Sequence, residues 1–337
     1  VRSRALGDSA YLPVLQRSLW LPLMQGCGLW LYDFGPRRNA GWWDGDMYRK
    51  EFRNTLAFFS KEFVPKTPAP AEALVVWDTE SFYHVENVNS KTCEQGLDAA
   101  AEDIQRCGVP TDHTFLFDLP RIDLSPYRAI LFMNAWKLSA EQRRFVRDSV
   151  AAGRRTLIWN YGSGYTDGRR LGKENIEDLT GIILVKAATP DTIRWESNAF
   201  NFTNVEHVDP FFTIADTTTE ALGYLAGTTI PVVARKKSDT HTSVYAGVPL
   251  HGSEMFRRLF REAGCFVWNE RNDFTYKKGG YILLHAKEPG TGILQLKNGT
   301  RVDYNVPAPV TFFLDAKTGM EILQPAFKFS TMITTPE

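Results

Sequence analysis

The chain has 337 residues, 43% hydrophobic and 23% charged, with 39 Lys+Arg balanced by 39 Asp+Glu. That length holds two or three domains with a sizeable core. A formal net charge of zero offers no basic excess for nucleic acid or an anionic membrane surface, and no apolar run approaches the roughly 20 residues that span a bilayer, so the partner expected is neutral, a sugar or another protein surface.

The amino terminus, Val1-Arg-Ser-Arg4, has neither an initiator Met nor an apolar run behind it and reads as a processed or truncated start rather than a signal peptide. Residues 13–24 form an apolar helical stretch that Pro22 must bend or end. Gly26 and Gly28 punctuate it, and Gly28 to Phe34 is short, apolar and aromatic, as a buried parallel strand is. A loop follows, Gly35 to Asp46, carrying Trp42, Trp43 and Asp44, and then a helix at about 46–63. Helix, strand, loop and helix in this order make one unit of an α/β architecture. Pro65-Lys-Thr-Pro-Ala-Pro70 is a stiff linker and the clearest boundary in the chain.

Beyond the linker, strands are expected at Ala73–Trp77, Thr114–Asp118, Ala129–Asn134 and Thr156–Tyr161, with helices at about 92–107 and 139–152. This alternation indicates a parallel sheet with crossover helices, flavodoxin-like in type. From about 182 to 250 the pattern turns to short strands, including Ile230–Arg235 and Thr242–Ala246. Ser253–Ala263 is an amphipathic helix with Met255, Phe256, Leu259 and Phe260 on one face. After about 266 strands succeed one another (Tyr281–Ala286, Gly292–Gln295, Val310–Leu314), interrupted by Gly and Pro as in a small antiparallel sandwich.

Cys27, Cys93, Cys107 and Cys265 are far apart and lack zinc-ligand spacing; Cys107 and Cys265 read as small buried thiols. Asn201-Phe-Thr203 and Asn298-Gly-Thr300 match the glycosylation sequon, which matters only in a eukaryotic secretory pathway. Gly162-Ser-Gly164-Tyr-Thr-Asp-Gly168 follows a strand but has the wrong glycine spacing for a dinucleotide loop and reads as a sheet-edge turn. His285, between apolar residues, reads as a core or edge histidine; His84 falls at the carboxyl edge of the parallel sheet, where a neighbouring subunit's site is the minor functional reading.

Gly26-Cys-Gly-Leu-Trp-Leu-Tyr-Asp33, followed by Gly41-Trp-Trp-Asp44, resembles the last barrel strand and its loop in relatives of glycoside hydrolase family 42. Tyr127-Arg-Ala-Ile-Leu-Phe-Met-Asn134, Leu138-Ser-Ala-Glu-Gln-Arg-Arg144, Trp159-Asn-Tyr-Gly-Ser-Gly-Tyr165, Leu179-Thr-Gly181, Ser243-Val-Tyr-Ala-Gly247 and Ile282-Leu-Leu-His-Ala286 are similar to segments of that group in the same order. The resemblance implies the end of a (β/α)8 barrel over residues 1–64, a linker at 65–70, a flavodoxin-like domain of the trimerisation type at 71–265, and a small antiparallel β-sandwich at 266–337. It implies a homotrimer that hydrolyses β-galactosides or related β-glycosides with retention and without a metal or organic cofactor.

A retaining glycosidase needs two carboxyl groups about 5–5.5 Å apart. The family carries them on barrel strands four and seven, whereas the resemblance starts this chain about one strand–helix unit before strand eight. Both acids are then expected upstream of Val1, and no catalytic carboxylate is assigned. What remains is one wall of a sugar site at the carboxyl end of a barrel strand: Trp30, Asp33, Trp42, Trp43 and Asp44, with indole faces for the C–H face of a pyranose and carboxylates for its hydroxyls. Against this stand structural roles, Trp30 as core, Asp33 as a barrel-layer or capping group, and Asp44 as a helix cap. A non-catalytic carbohydrate-binding or assembly protein is the alternative. A flavodoxin-like enzyme or amidotransferase requires a nucleotide or nucleophile site that the sequence does not display.

Overall fold

The computed structural model describes residues 9–32, 43, 45–61, 70–85, 94–188, 193–197, 201–205, 208–323 and 332–334. Its helices are α1 (Leu12–Met24), α2 (Asp46–Lys61), α3 (Ala99–Arg106), α4 (Ala140–Phe145), α5 (Lys173–Thr180) and α6 (Ser253–Glu262). The strands are β1 (Ala73–Trp77), β2 (Thr111–Phe115), β3 (Ala129–Phe132), β4 (Thr156–Trp159), β5 (Leu184–Ala187), β6 (Ile193–Ser197), β7 (Asn201–Val205), β8 (Phe211–Ile214), β9 (Glu220–Leu225), β10 (Pro231–Lys237) and β11 (Thr242–Ala246), then β12 (Phe274–Lys278), β13 (Tyr281–Ala286), β14 (Gly290–Gln295), β15 (Arg301–Val306), β16 (Val310–Asp315), β17 (Glu321–Leu323) and β18 (Met332–Thr334). The chain forms two compact units, one of residues 71–104 and 111–266, the other of residues 1–70, 105–110 and 267–337.

The first unit is built on a nine-stranded sheet in the order β2-β1-β3-β4-β11-β10-β9-β6-β7. Its first five strands pair in parallel and the remainder antiparallel. Strands β1, β3 and β4 are short runs such as Ala-Leu-Val-Val-Trp and Ala-Ile-Leu-Phe, buried almost throughout, as strands covered on both faces must be. Phe132 stacks on Trp159 at 4.3 Å, and the Trp159 indole N–H donates to Ser243 Oγ at 3.0 Å, so the one polar atom of that buried ring is satisfied. Helix α4 starts on a capping box: Ser139 Oγ accepts from Gln142 N while the Gln142 side chain accepts from Ser139 N.

Helix α6 buries Met255, Phe256, Leu259 and Phe260, the face its sequence pattern marks out. Its amino end is capped from another helix. Asp103 of α3 accepts from Gly252 N at 2.6 Å and from Ser253 Oγ at 3.2 Å.

The other unit carries a four-stranded sheet, β12-β13-β16-β17, and a three-stranded sheet, β14-β15-β18. Helix α1 packs on the first of these. Leu12, Leu15, Leu19, Trp20 and Met24 share one core with Tyr48 of α2, Leu283, Phe313 and Leu323, and Trp20 meets Phe313 edge-on at 6.1 Å. Pro22 falls in the last turn and so does not break the helix. The turn closes with Gly26 N donating to Leu23 O and Cys27 N to Pro22 O, a Schellman arrangement in which Gly26 takes φ +81°.

Several expected bounds move. The strand expected at Thr114–Asp118 is Thr111–Phe115, and the helix at 139–152 is α-helical only to Phe145 before a π turn and a 3-10 turn finish it. The strand expected from Gly28 carries no regular structure over residues 28–32, and the rest of that stretch lies outside the described residues. A strand is defined by its ladder, and no described strand pairs with this segment.

Candidate functional site

Two regions carry the polar chemistry that the sequence singles out. The first is the segment after α1. Gln25 to Tyr32 lies exposed, although Leu-Trp-Leu-Tyr is as apolar as any buried strand of the protein. Trp30 is 75% exposed and Tyr32 52%, the two rings meeting edge-on at 5.4 Å. Trp43 closes the segment back on α2: its indole N–H donates to Tyr32 O at 3.2 Å, and its ring packs edge-on against Tyr48 at 5.9 Å and Phe52 at 6.1 Å. Trp30 and Trp43 are therefore held on one short piece of chain, Trp30 turned to solvent and Trp43 half-buried. Asp33, Trp42 and Asp44 lie outside the described residues.

Between α1 and α2, the helices that flank this segment in sequence, the sequence reading missed a buried polar set. Glu51, fully buried on α2, accepts from Gln16 Nε2 at 3.2 Å, and Thr55 Oγ1 lies 3.5 Å from its other oxygen while accepting the Trp20 indole N–H at 2.9 Å. These contacts fix α1 against α2, and with them the stem from which residues 27–32 emerge. A Glu on a helix reads as solvated in sequence. The signal that betrays it is its spacing, since Glu51 and Thr55 share the i, i+4 stripe with the buried Tyr48 at i−3.

The second region is the carboxyl edge of the parallel sheet, where α/β proteins place ligands at the point of strand-order reversal, here between β1 and β3. Its polar groups are spent on one another. Asp78 N donates to Asn134 Oδ1 at 2.8 Å and Asn134 Nδ2 to Asp78 O at 2.7 Å. The Asp78 carboxylate accepts from Ser81 N at 2.9 Å and Ser81 Oγ at 2.5 Å, and Lys137 N donates to that hydroxyl. At the end of β4, Asn160 donates to Met133 O and accepts from Leu250 N.

The glycine loop behaves likewise. Ser163 N, Gly164 N, Tyr165 N and Thr166 N donate to the carbonyls of Asn160, Ala135, Gly162 and Trp136, so those N–H groups form no phosphate cradle. The buried Arg143 guanidinium donates to three carbonyls, of Leu138, Asn175 and Gly164, and locks the loop onto α4 and α5. This is the sheet-edge turn expected from the glycine spacing.

His84 is exposed in the 3-10 turn after β1. His285 is buried, its Nδ1 2.8 Å from Thr311 Oγ1, and burial followed by the nearby Arg17 and Lys287 charges pushes its pKa down to about 3. Cys107 and Cys265 are buried and Cys27 exposed, none of the three in a disulfide, while Cys93 lies outside the described residues. Among the described residues no cluster of His, Cys, Asp and Glu has the geometry to hold a metal ion, and no helix is long and apolar enough to cross a membrane.

No protein-family model matches the chain, and no curated protein does. Solved structures do. A catalytic mutant of a glycoside hydrolase family 42 β-galactosidase from G. stearothermophilus aligns with TM-score 0.57 at 13% identity over 84% of this chain and 46% of its own. The β-galactosidase of the Antarctic haloarchaeon Halorubrum lacusprofundi aligns with TM-score 0.57 at 13% identity over 81% of this chain and 42% of its own. A cold-adapted β-galactosidase from a Rahnella species gives 0.58 at 12% identity over 84% and 46%. The chain thus shares its fold with part of the family 42 β-galactosidases, an α/β domain followed by a β-sandwich, and spans under half the length of these enzymes.

Proposed function

We propose that this chain is the C-terminal segment of a retaining glycoside hydrolase acting on β-galactosides or related β-glycosides. In this reading residues 1–64 end a (β/α)8 barrel, 65–70 link, 71–265 form a flavodoxin-like oligomerisation domain that assembles a homotrimer, and 266–337 form the C-terminal β-domain. The segment contributes one wall of the sugar site through Trp30, Asp33, Trp42, Trp43 and Asp44. The nucleophile and the acid/base belong to barrel strands that precede it.

One observation supports the reading: Leu29 to Tyr32, an apolar run that this reading takes as a barrel strand, lies exposed while the helices on either side are packed. Four such side chains in a row are costly to leave in water, at roughly 25 cal/mol per Å², and their natural complement is a set of neighbouring strands. The shared fold adds independent support, as does the strand order of the parallel part, β2-β1-β3-β4-β11, which is the flavodoxin-like order.

A second reading, a carbohydrate-binding or assembly protein without catalysis, draws on the core that α1 and α2 already share with Leu283, Phe313 and Leu323. Nitrophenyl β-galactoside hydrolysis separates the two. A polypeptide extended upstream by a barrel releases nitrophenol and the 337-residue chain alone does not. Turnover by the chain alone contradicts the placement of the acid pair, and an upstream reading frame that encodes no barrel leaves the binding reading. Sedimentation equilibrium of the extended protein tests the trimer.

A further inference from the structure

We infer that the β14–β15 hairpin carries a second carbohydrate site, a groove for a neutral oligosaccharide that is independent of the wall around Trp30. The groove has a volume of about 750 Å³ and is walled by residues 267–271, β14 and β15. Sites for small molecules span about 300–1,000 Å³, and a short oligosaccharide fits that range.

The face exists because the hairpin alternates strictly. Register places Thr291 opposite Asn305, Ile293 opposite Asp303 and Gln295 opposite Arg301. These six side chains share one face of the sheet, while Leu294, Val302, Tyr304 and Val306 turn to the core. The open face therefore offers a hydroxyl, two amides, a carboxylate and a guanidinium around one exposed apolar side chain, Ile293.

Its chemistry selects the ligand class. Arg301 Nε donates to Asp303 Oδ1 at 3.0 Å, and across the groove Arg271 Nη1 lies 3.5 Å from the buried Asp273 carboxylate. The cations are neutralised, so a phosphate or sulfate has no net field to attract it. An extended peptide has no edge to join, since Gln295 N donates to Trp268 O, Asn269 bridges to Leu294, and β15 pairs on its far side with β18. Mixed donors and acceptors at sheet spacing, with an aliphatic patch between them, suit the alternating hydroxyl and C–H surface of a pyranose. The floor is held rigid: Asn269 Nδ2 donates to Ile293 O at 3.1 Å and to Tyr304 Oη at 2.6 Å, and Tyr304 Oη donates to Asp273 Oδ2.

The test is calorimetric titration of the whole 337-residue chain with galactotriose, cellotriose and maltotriose up to about 20 mM, beside a sulfated disaccharide. The expected result is saturable binding of at least one neutral trisaccharide. It weakens about tenfold or more in Arg301→Ala/Asp303→Ala and is unchanged in Arg121→Ala, an exposed arginine outside both sugar sites. Both substituted side chains are about half exposed, 56% and 45%, so the double variant keeps its fold, which circular dichroism verifies. Absence of neutral-sugar binding, binding untouched by the double variant, or tighter binding of the sulfated sugar overturns the inference. Loss in Trp30→Ala alone assigns the sugar to the other wall and also overturns it.

Discussion

At the scale of single residues, His285 shows how a hydrogen count fixes a tautomer and, through it, a pH dependence. Thr311 Oγ1 gives its only hydrogen to Pro13 O at 2.6 Å, so in the contact with His285 the ring Nδ1–H is the donor and Nε2 is bare. Burial then holds the ring neutral, with a pKa near 3 against an ordinary value of 6.5. Because the unfolded chain binds the proton more readily, this group's contribution is intact above about pH 6.5 and is lost as the pH falls from there toward 3. The upper bound is about 5 kcal/mol. The urea midpoint is expected to fall between pH 7.5 and pH 4.5, and His285→Gln, which keeps a donor for Thr311 but gains no proton, is expected to flatten that fall. An equal fall in the variant sinks the assignment. Asp216 makes the opposite case: burial works to raise its pKa, yet donation from Lys236 and Thr218 outweighs it and holds the carboxyl well below the usual range. A sequence shows both residues only as a His among apolar neighbours and an Asp before threonines. Thr218 is a local partner, but Lys236 on β10 and Thr311 on β16 come from distant strands that the sequence does not pair with them.

Among the elements, legibility follows locality. Strands β1, β11 and β13 coincide with apolar runs that need no knowledge of their neighbours, and the buried face of α6 is written in the spacing of its four large side chains. The ends of elements are less local. Gly26 stops α1 because φ +81° suits glycine. Gly26→Ala is expected to cost about 1 kcal/mol, read as a lower thermal midpoint. The cap on α6 is not local at all, since Asp103 reaches it from 149 residues upstream of Gly252. Asp103→Ala leaves the Gly252 N–H and the Ser253 hydroxyl without this acceptor. A loss of about 1–2 kcal/mol is expected, with Asp103→Asn retaining part of it. Equal stability of wild type and Asp103→Ala in urea removes that role.

For the molecule as a whole, a sequence reports how apolar a segment is but not what covers it. The runs at 12–24 and 28–32 look alike on paper; in the structure the first is buried against β13, β16 and β17 and the second is exposed. The candidate wall is an expectation drawn from a cluster of Trp and Asp, of which the described residues include only Trp30 and Trp43, whereas the buried set that joins α1 to α2, Gln16, Glu51 and Thr55, was hidden because buried polar residues imitate surface ones. The exposed run gives the sharpest test of the proposed barrel. Trp30 is 75% exposed whereas Trp20 is fully buried, so the Trp30 indole is open to quenching by acrylamide. Comparing each protein with its Trp30→Phe variant isolates that signal. If residues 28–34 complete a ring of strands, extending the chain upstream by the barrel covers the indole. Its emission then shifts to shorter wavelength, and its quenching constant falls severalfold relative to the 337-residue chain. The large core of the barrel removes apolar surface at roughly 25 cal/mol per Å², so the extended protein also unfolds at higher urea. A Trp30 that stays as open to acrylamide in the extended protein as in the segment means that this run is not a barrel strand.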